Sequence, residues 1–387
     1  FIDLLGFSLI LPLLPYYAET FGASPFITGL LVAVYAAAQL IGAPLLGRLS
    51  DRLGRRPVLL VSIAGNLIGF IILAMANSLW ILFFARILAG LTGGNISVAQ
   101  AYISDVTDQS NRAKGLGLIG AAFGLGFIIG PALGGILSRW GFAMPALLAA
   151  ALSLINLILV WRWLPESLTP EKRAQLSIQA KPSFSPKLLL QTLRLPIVGP
   201  LLQTRFFYGL AFTLLTTIFP LYAQLRFNLD SMTTGYVLAY VGLLSTITQG
   251  FLIGRLTKRF SESKLIFWAT FTLVFAMLGW AAAPSIAALL VVMVPVSMAG
   301  GILNTVINSS LSKSVTPGEV GGTLGLSSSL EALTRVISPS IGGLMLERLG
   351  AAAPGLFSAA ILALLTVYIA KTILPTQPTV LARAAAK

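Results

Sequence analysis

Five ionisable side chains lie inside otherwise apolar stretches of this sequence: Asp3, Arg86, Arg205, Glu331 and Arg335. A charged group in hydrocarbon is costly unless it is paired or hydrated, so such residues normally face the protein interior and serve ion or proton movement. The chain contains no histidine and no cysteine. A carboxyl group must therefore carry any exchanged proton, and neither a metal site nor thiol chemistry is expected.

Asp3 and Glu331 are the candidate proton carriers, with Arg86 and Arg335 as further proton-coupling candidates. Glu331 precedes Arg335 by four residues, the favourable order for an ion pair within a helix. Glu331 therefore either exchanges a proton or simply neutralises Arg335. Arg86 either organises proton movement or forms a structural ion pair. A direct pair between Asp3 and Arg86 is not expected, because their segments place them in opposite halves of the bilayer.

Further polar residues within the apolar stretches are candidates for a substrate cavity. Each could bind a ligand by a hydrogen bond or could equally bridge two helices. These candidates are Tyr35, Gln39, Asn95, Arg205, Tyr208, Thr213, Tyr240, Asn304 and Asn308.

The composition indicates a chain that lies in a membrane. Of the 387 residues, 56% are hydrophobic and 10% are charged, whereas soluble globular proteins carry about 25% charged residues. A soluble enzyme, a disordered chain and a nucleic-acid-binding module are therefore excluded. A helix needs about 20 apolar residues to cross a bilayer. Twelve segments meet this need, covering approximately 1–19, 26–46, 57–76, 79–103, 114–138, 143–161, 198–224, 233–254, 264–283, 286–310, 321–345 and 352–371.

The longest polar stretch, 162–196, divides these segments into two sets of six. We predict an all-α polytopic membrane protein with an N-terminal bundle at 1–161, a cytoplasmic linker at 162–196, a C-terminal bundle at 197–374 and a cytoplasmic tail at 375–387. The net charge is +14, and the basic residues are distributed unevenly across the membrane. Twenty of the 26 basic residues fall on one face and three on the other. The positive-inside rule then places both termini in the cytoplasm of an inner or plasma membrane.

The two halves of the chain repeat each other. Gly47–Arg52 aligns with Gly254–Arg259 at an offset of 207, and Gly130–Gly135 aligns with Ser338–Gly343 at an offset of 208. Six segments, an even number, separate the copies, so both copies have the same orientation. Parallel repeats of this kind are typical of transporters whose substrate site lies near the bilayer midplane.

The loop after the second segment contains an acid among several bases. Two glycines allow a tight reversal between helices, and the acid can pair with a neighbouring arginine. The loop is either a conformational latch or a plain cytoplasmic anchor. The residues concerned are Gly47, Asp51, Arg52, Gly54, Arg55 and Arg56.

This loop resembles the signature loop of the major facilitator superfamily. The resemblance covers all twelve segments and implies two six-helix bundles that rock around a central site, with the loop gating the cytoplasmic side. The second copy of the loop has Lys258 at the position of the acid and Ser261 at the position of the second glycine. The gating role is therefore assigned to the first copy.

The fifth segment carries small residues four apart on one helical face, at Gly126, Gly130 and Gly134. Physically this predicts a close-packed seam with another helix. The wider pattern resembles the motif of proton antiporters in the same superfamily. It comprises Gly117, Gly126, Gly130, Pro131, Gly134 and Gly135.

Two other segments support the same resemblance. Arg86 lies in a pattern similar to the fourth-helix motif of the superfamily, with Ala89 where glutamine is usual. The first segment, with Asp3 and the run 11–15, resembles that of tetracycline/proton exporters. These resemblances imply a monomeric secondary transporter that exports an amphipathic small organic molecule in exchange for protons, without cofactor or nucleic acid. The alternatives are a uniporter or proton symporter for a nutrient or metabolite, and a non-transporting membrane scaffold or sensor.

Overall fold

The structure, a computed structural model, describes residues 1–108, 111–169, 191–316 and 319–375, together with Glu171 and Arg173. Much of the predicted linker and nearly all of the predicted tail lie outside these residues. The described part of the chain is helical and contains no β-strand. Its helices are α1 (Ile2–Ile10), α2 (Leu14–Glu19), α3 (Pro25–Leu53), α4 (Arg55–Ala74), α5 (Leu79–Thr92), α6 (Asn95–Val106), α7 (Arg112–Leu137), α8 (Ala143–Trp163), α9 (Val198–Phe227), α10 (Ser231–Ile247), α11 (Ile253–Arg259), α12 (Glu262–Ala282), α13 (Ile286–Lys313), α14 (Val320–Leu349) and α15 (Ala353–Thr372).

These helices confirm the predicted fold class. Among the described residues, ten helical stretches are long and apolar enough to cross a membrane. The first and eleventh predicted segments are helical but fall outside that set. The first is divided into two short helices, and the eleventh, α14, is rich in glycine and serine and carries Glu331 and Arg335.

Three of the segments are interrupted, which the hydropathy pattern did not predict. The first breaks between α1 and α2, where Pro12 supplies no backbone donor. The fourth breaks at Gly93–Gly94, and the eighth contains a π-helix at Thr248–Leu252. Breaks and π-turns of this kind free backbone groups and are frequent at functional sites.

The chain divides into two compact units. Unit 1 contains Phe1–Lys181 and Pro220–Gly242, and unit 2 contains Pro182–Phe219 and Leu243–Lys387. Within unit 1, α1 packs along α7, α3 along α5, and α4 along α8. Within unit 2, α12 packs between α13 and α15.

The glycines of α7 form the close-packed seam that their spacing predicted. A side chain at Gly130 would meet the hydroxyl group of Ser8 and the backbone of Leu9, and one at Gly134 would meet the Leu9 carbonyl. Gly126 faces Leu4 at ordinary contact distance. The backbones of α1 and α7 are therefore close enough that only hydrogen atoms fit between them. Gly117, by contrast, faces open space.

Segment 220–242 is held on unit 1 by hydrogen bonds. The Tyr16 hydroxyl group lies 2.7 Å from Thr234 Oγ1 and donates to the Leu229 carbonyl at 3.1 Å. The hydroxyl groups of Ser138 and Ser231 lie 2.7 Å apart. Burial of these polar groups is offset because each has a partner.

Large apolar side chains cover the outer faces of the helices. Trp80 is 84% exposed and Leu364 is 74% exposed, as expected of side chains that contact lipid. Trp140, Trp161 and Trp163 are exposed at helix ends, where an aromatic belt forms. Trp280 also lies near a helix end but is fully buried, because α12 packs between two neighbouring helices.

Candidate functional site

The buried polar groups of unit 1 centre on Asp3, near the start of α1. Its carboxylate accepts a hydrogen bond from Asn66 Nδ2 at 3.3 Å and a second from Asn95 Nδ2. Asn66 comes from α4, and Asn95 is the first residue of α6, directly after the Gly93–Gly94 break. Among the described residues, no lysine or arginine lies within ion-pair distance of Asp3. Among the described side chains, its hydrogen-bond partners are therefore two neutral amides.

Arg86 lies on α5 and is only 3% exposed. Its guanidinium carbon lies 4.0 Å from the centre of the Tyr35 ring, close enough for a cation–π interaction. The Nε and Nη2 atoms have no hydrogen-bond partner among the described residues, and no carboxylate of that part of the chain pairs with Arg86.

Unit 2 brings together three of the predicted charged residues. Glu331 on α14 accepts from Arg205 of α9 through Oε2, and from Arg335 Nη2 through Oε1 at 2.6 Å. Arg205 Nη1 also donates to Asn304 Oδ1 at 2.7 Å. Arg205 is 5% exposed, whereas the Arg335 side chain is 54% exposed. One carboxylate is thus shared by two guanidinium groups, one buried and one open.

A cavity of about 160 Å³ adjoins this cluster. Four of the predicted polar residues, Arg205, Tyr208, Thr213 and Asn304, line this cavity together with Glu331. The sequence did not predict the other residues around it. These are Gly209, Phe212, Ser245, Gln249, Gly300 and Gly301.

Two of the remaining cavity candidates, Gln39 and Asn308, form hydrogen bonds within the protein. Gln39 Nε2 donates to the Gly93 carbonyl at 2.8 Å, next to the break in the fourth segment. Asn308 Oδ1 accepts from Ser327 at 3.4 Å. Tyr208 lines the cavity but also bonds within the protein, because its hydroxyl group donates to the Gly300 carbonyl at 2.9 Å. Tyr240 lies on α10 outside the lining of this cavity.

The predicted loop cluster of unit 1 is organised by Arg55. This side chain is 4% exposed, pairs with Asp51 Oδ1 at 2.7 Å and Asp105 Oδ2 at 3.0 Å, and donates to Ser50 Oγ at 2.6 Å. Asp105, at the end of α6, was not identified from the sequence. The loop is thus tied to the helix that carries Asn95, whereas Arg52 is exposed.

Glu166, just after α8, caps the same loop. Its carboxylate accepts from the backbone N–H groups of Arg55 at 2.9 Å and Arg56 at 3.1 Å, which are unsatisfied donors at the start of α4. Burial would raise the Glu166 pKa, but these donors, Leu168 N and the charge of Arg173 together lower it. Gly54 adopts a φ of +109°, and a side chain there would collide with Glu166. Glycine at this position therefore has both a conformational and a steric cause.

Unit 2 contains an ion pair at the positions that align with Arg55 and Asp105, but the acid and the base have exchanged places. Glu262, at the start of α12, accepts from Lys313 Nζ at 2.6 Å, Ser309 at 2.7 Å and Ser310 at 2.8 Å. Glu262 follows Arg55 by 207 residues, and Lys313 follows Asp105 by 208. These are the offsets of the internal repeat. The second copy of the loop therefore keeps the ion pair while it loses the sequence signature.

Comparison with known proteins gives a consistent assignment. The family model described as Major Facilitator Superfamily matches residues 1–337 and 250–387. A tetracycline resistance protein, class C, of Escherichia coli is 35% identical over 88% of this chain and 86% of its own length. Solute carrier family 67 member A1 of Homo sapiens is 32% identical over 87% of this chain and 82% of its own.

Solved structures show the same fold. The crystal structure of a bacterial homologue of the human lysosomal transporter Spinster covers 96% of this chain and 94% of its own, with a TM-score of 0.77. At 15% identity, this likeness concerns the backbone architecture alone.

Proposed function

This chain belongs to the Major Facilitator Superfamily, and from that membership and the geometry of its buried acids we propose that it exports an amphipathic small organic molecule in exchange for protons. Family membership makes it a membrane transporter of small molecules rather than an enzyme. Proton coupling, the direction of transport and the residues involved are our proposal.

The contrast between the two buried acids carries the proposal. Glu331 lies between two guanidinium groups, which stabilise its ionised form. Among the described side chains, Asp3 has two neutral amides as partners and no guanidinium group, so its ionised form remains costly in a low-dielectric surrounding. Protonation of the carboxyl group removes this cost, and loss of the proton restores it. Protonation is thereby coupled to the movement of the acid through the protein. We assign the exchanged proton to Asp3 and an ionised counter-charge to Glu331.

Two observations support export. The relatives at 32–35% identity include tetracycline resistance proteins, and a membrane transporter gives resistance to a compound when it moves that compound out of the cell. The small-residue seam of α7 against α1 keeps two backbones in contact beside Asp3. A seam without side chains leaves little room for water, which limits a proton leak past the carrier.

The transport cycle that we propose is alternating access of the rocker-switch type, which family membership supports. The Arg55 cluster would stabilise one conformation and release another. Because Arg55 of α4 contacts Asp51 and Ser50 of α3 and Asp105 of α6 at once, a small displacement of α4 against these two helices would break several charge-assisted bonds together.

Proteoliposomes loaded with a pH-sensitive dye test the proposal. Tetracycline is the first probe compound, and efflux of the loaded probe should drive protons inwards. Asp3→Asn should abolish this proton movement, whereas Glu319→Gln, which removes an exposed acid outside the membrane-spanning segments, should preserve it. Proton exchange that persists in Asp3→Asn would refute the assignment, and probe flux without proton movement in the parent protein would indicate a uniporter.

A further inference from the structure

We propose that the cavity of unit 2 binds the acidic group of an organic anion, so that the transported class is an amphipathic organic acid. This inference rests on the proposed transport function and specifies its substrate. It follows from the charges, the unsatisfied donors and the shape of the cavity, which are taken in turn below.

The cluster of Glu331, Arg205 and Arg335 beside the cavity has a net positive charge, whereas the two charged residues that line the cavity itself, Arg205 and Glu331, balance each other. Glu331 is the sole acid among the residues that line the cavity, and both its oxygens are already bound by guanidinium groups. Arg205 and Arg335 together contribute two positive charges, so the cluster carries an excess of one. An uncompensated positive charge in a membrane interior is costly, and a bound anion would remove that cost.

Arg205 retains a donor for such an anion. Its Nη1 binds Asn304, its Nη2 binds Glu331, and its Nε is buried without a hydrogen-bond partner among the described residues. A buried unsatisfied donor costs roughly 1–3 kcal/mol. A carboxylate or sulfonate presents two oxygens to the planar guanidinium fork, which is the geometry that arginine recognises best.

The rest of the lining suits an amphipathic body. Tyr208 and Phe212 contribute two aromatic rings to the lining, with their centres 5.5 Å apart, and the Phe212 ring packs against Gly300. Ser245 and Gln249 add neutral polar groups. A volume of about 160 Å³ holds one acidic group with about one aromatic ring, so larger substrates would extend beyond it.

Glu331 and the anion compete for the same guanidinium group. When an anion binds Arg205, Glu331 loses one of its two partners and keeps Arg335. Because of this competition, neutralising Glu331 should strengthen anion binding rather than weaken it. A residue that only maintains the shape of the cavity would not have that effect.

A charge series at constant shape tests the proposal. Isothermal titration calorimetry of the purified full-length chain would compare 2-naphthoate, 2-naphthamide and 2-naphthylmethylammonium. We expect the naphthoate to bind at least 10-fold more tightly than the amide, and the ammonium compound to bind most weakly. Equal affinities, or tightest binding of the ammonium compound, would overturn the proposal.

Variants separate this site from the rest of the protein. Arg205→Gln should weaken naphthoate binding at least 10-fold, Glu331→Gln should strengthen it about threefold, and Arg348→Gln at an exposed helix end should leave it unchanged. Weaker naphthoate binding in Glu331→Gln would overturn the competition. Thermal unfolding of each variant verifies that it is folded.

The failure of this proposal and of the transport function are distinguishable. Binding is measured without a gradient, so it reports on the anion site whether or not protons are exchanged. Selective naphthoate binding without proton exchange would refute the transport proposal alone. Proton-coupled efflux of cations with no naphthoate preference would refute the anion site alone.

Discussion

Asn95 donates a hydrogen bond to Asp3 from the first residue of α6, immediately after the glycine pair that interrupts the fourth segment. The break thus fixes the position of an amide group against a buried acid. Because the last turn of the same α6 carries Asp105, which pairs with Arg55, one short helix joins the proposed proton carrier to the loop cluster.

The Asn95 contact predicts a transport defect without unfolding. Asn95→Leu keeps the number and branching of the side-chain heavy atoms but removes one of the two amide donors to Asp3. Loss of a hydrogen bond to a charged group costs about 1.5–3 kcal/mol, so proton exchange should fall roughly 10-fold or more. Dye-loaded proteoliposomes measure this rate. Asn308→Leu is the matched control, since Asn308 bonds Ser327 and not an acid, and equal effects of the two changes would contradict the prediction.

The seam between α1 and α7 predicts a steric effect at one glycine and none at another. Gly130→Ala would push against Ser8 and Leu9 of α1, and overpacking of this kind costs about 1–3 kcal/mol. The thermal unfolding temperature in detergent should fall by several degrees. Gly117→Ala meets open space and should be neutral or stabilising by up to about 1 kcal/mol. A similar loss at both positions would argue against the seam.

Glu166 predicts a stability that depends on pH. Its pKa in the folded protein lies below the ordinary value of 4.5, because backbone donors and Arg173 outweigh the effect of burial. A lowered pKa stabilises the folded state above that ordinary value, and the stabilisation is lost as the pH falls through the folded-state pKa. Glu166→Gln should therefore be less stable than the parent at pH 7, and the difference should shrink below about pH 4.5. A difference that stays constant across this range would show that Glu166 does not act through its charge.

The pair of Glu262 and Lys313 predicts that charge can be exchanged across it. Glu262→Lys alone places two cations together and should slow transport, whereas adding Lys313→Glu restores an ion pair with the polarity found in unit 1. The double variant should recover at least half of the parental rate. In a double-mutant cycle with Glu262→Gln and Lys313→Met, the coupling should approach 1 kcal/mol, the upper range for a partly exposed pair. Zero coupling together with no recovery would contradict the prediction.

Hydropathy, spacing and the internal repeat predicted the helical segments, the seam of α7 and the intramembrane charges. Those features depend on periodicity and on the cost of charge in hydrocarbon, both of which can be seen in local sequence. The partners of these residues were harder to predict. Asn66 contacts Asp3 across 63 residues and Glu166 contacts Arg55 across 111, and no local pattern marks a single asparagine or glutamate as a partner.

Some of the missed residues did leave a signal. Glu262 and Lys313 stand at the repeat offsets of Arg55 and Asp105, so comparing charges at aligned positions would have identified them. Alignment of the two copies by residue type places Lys258 at the position of the acid and Ser261 at the position of the second glycine, and it does not identify the pair of Glu262 and Lys313. What the repeat preserves here is complementarity between two positions, not the identity of either residue.

The reversed polarity also bears on how two homologous halves find their own neighbours during folding. If a helix from one half docked into the equivalent place in the other, Arg55 would face Lys313 and Glu262 would face Asp105. Both mismatched encounters bring like charges together, whereas both correct ones bring opposites together. If both halves carried the same charges at aligned positions, no like-charge repulsion would oppose the pairing of a helix with the wrong half.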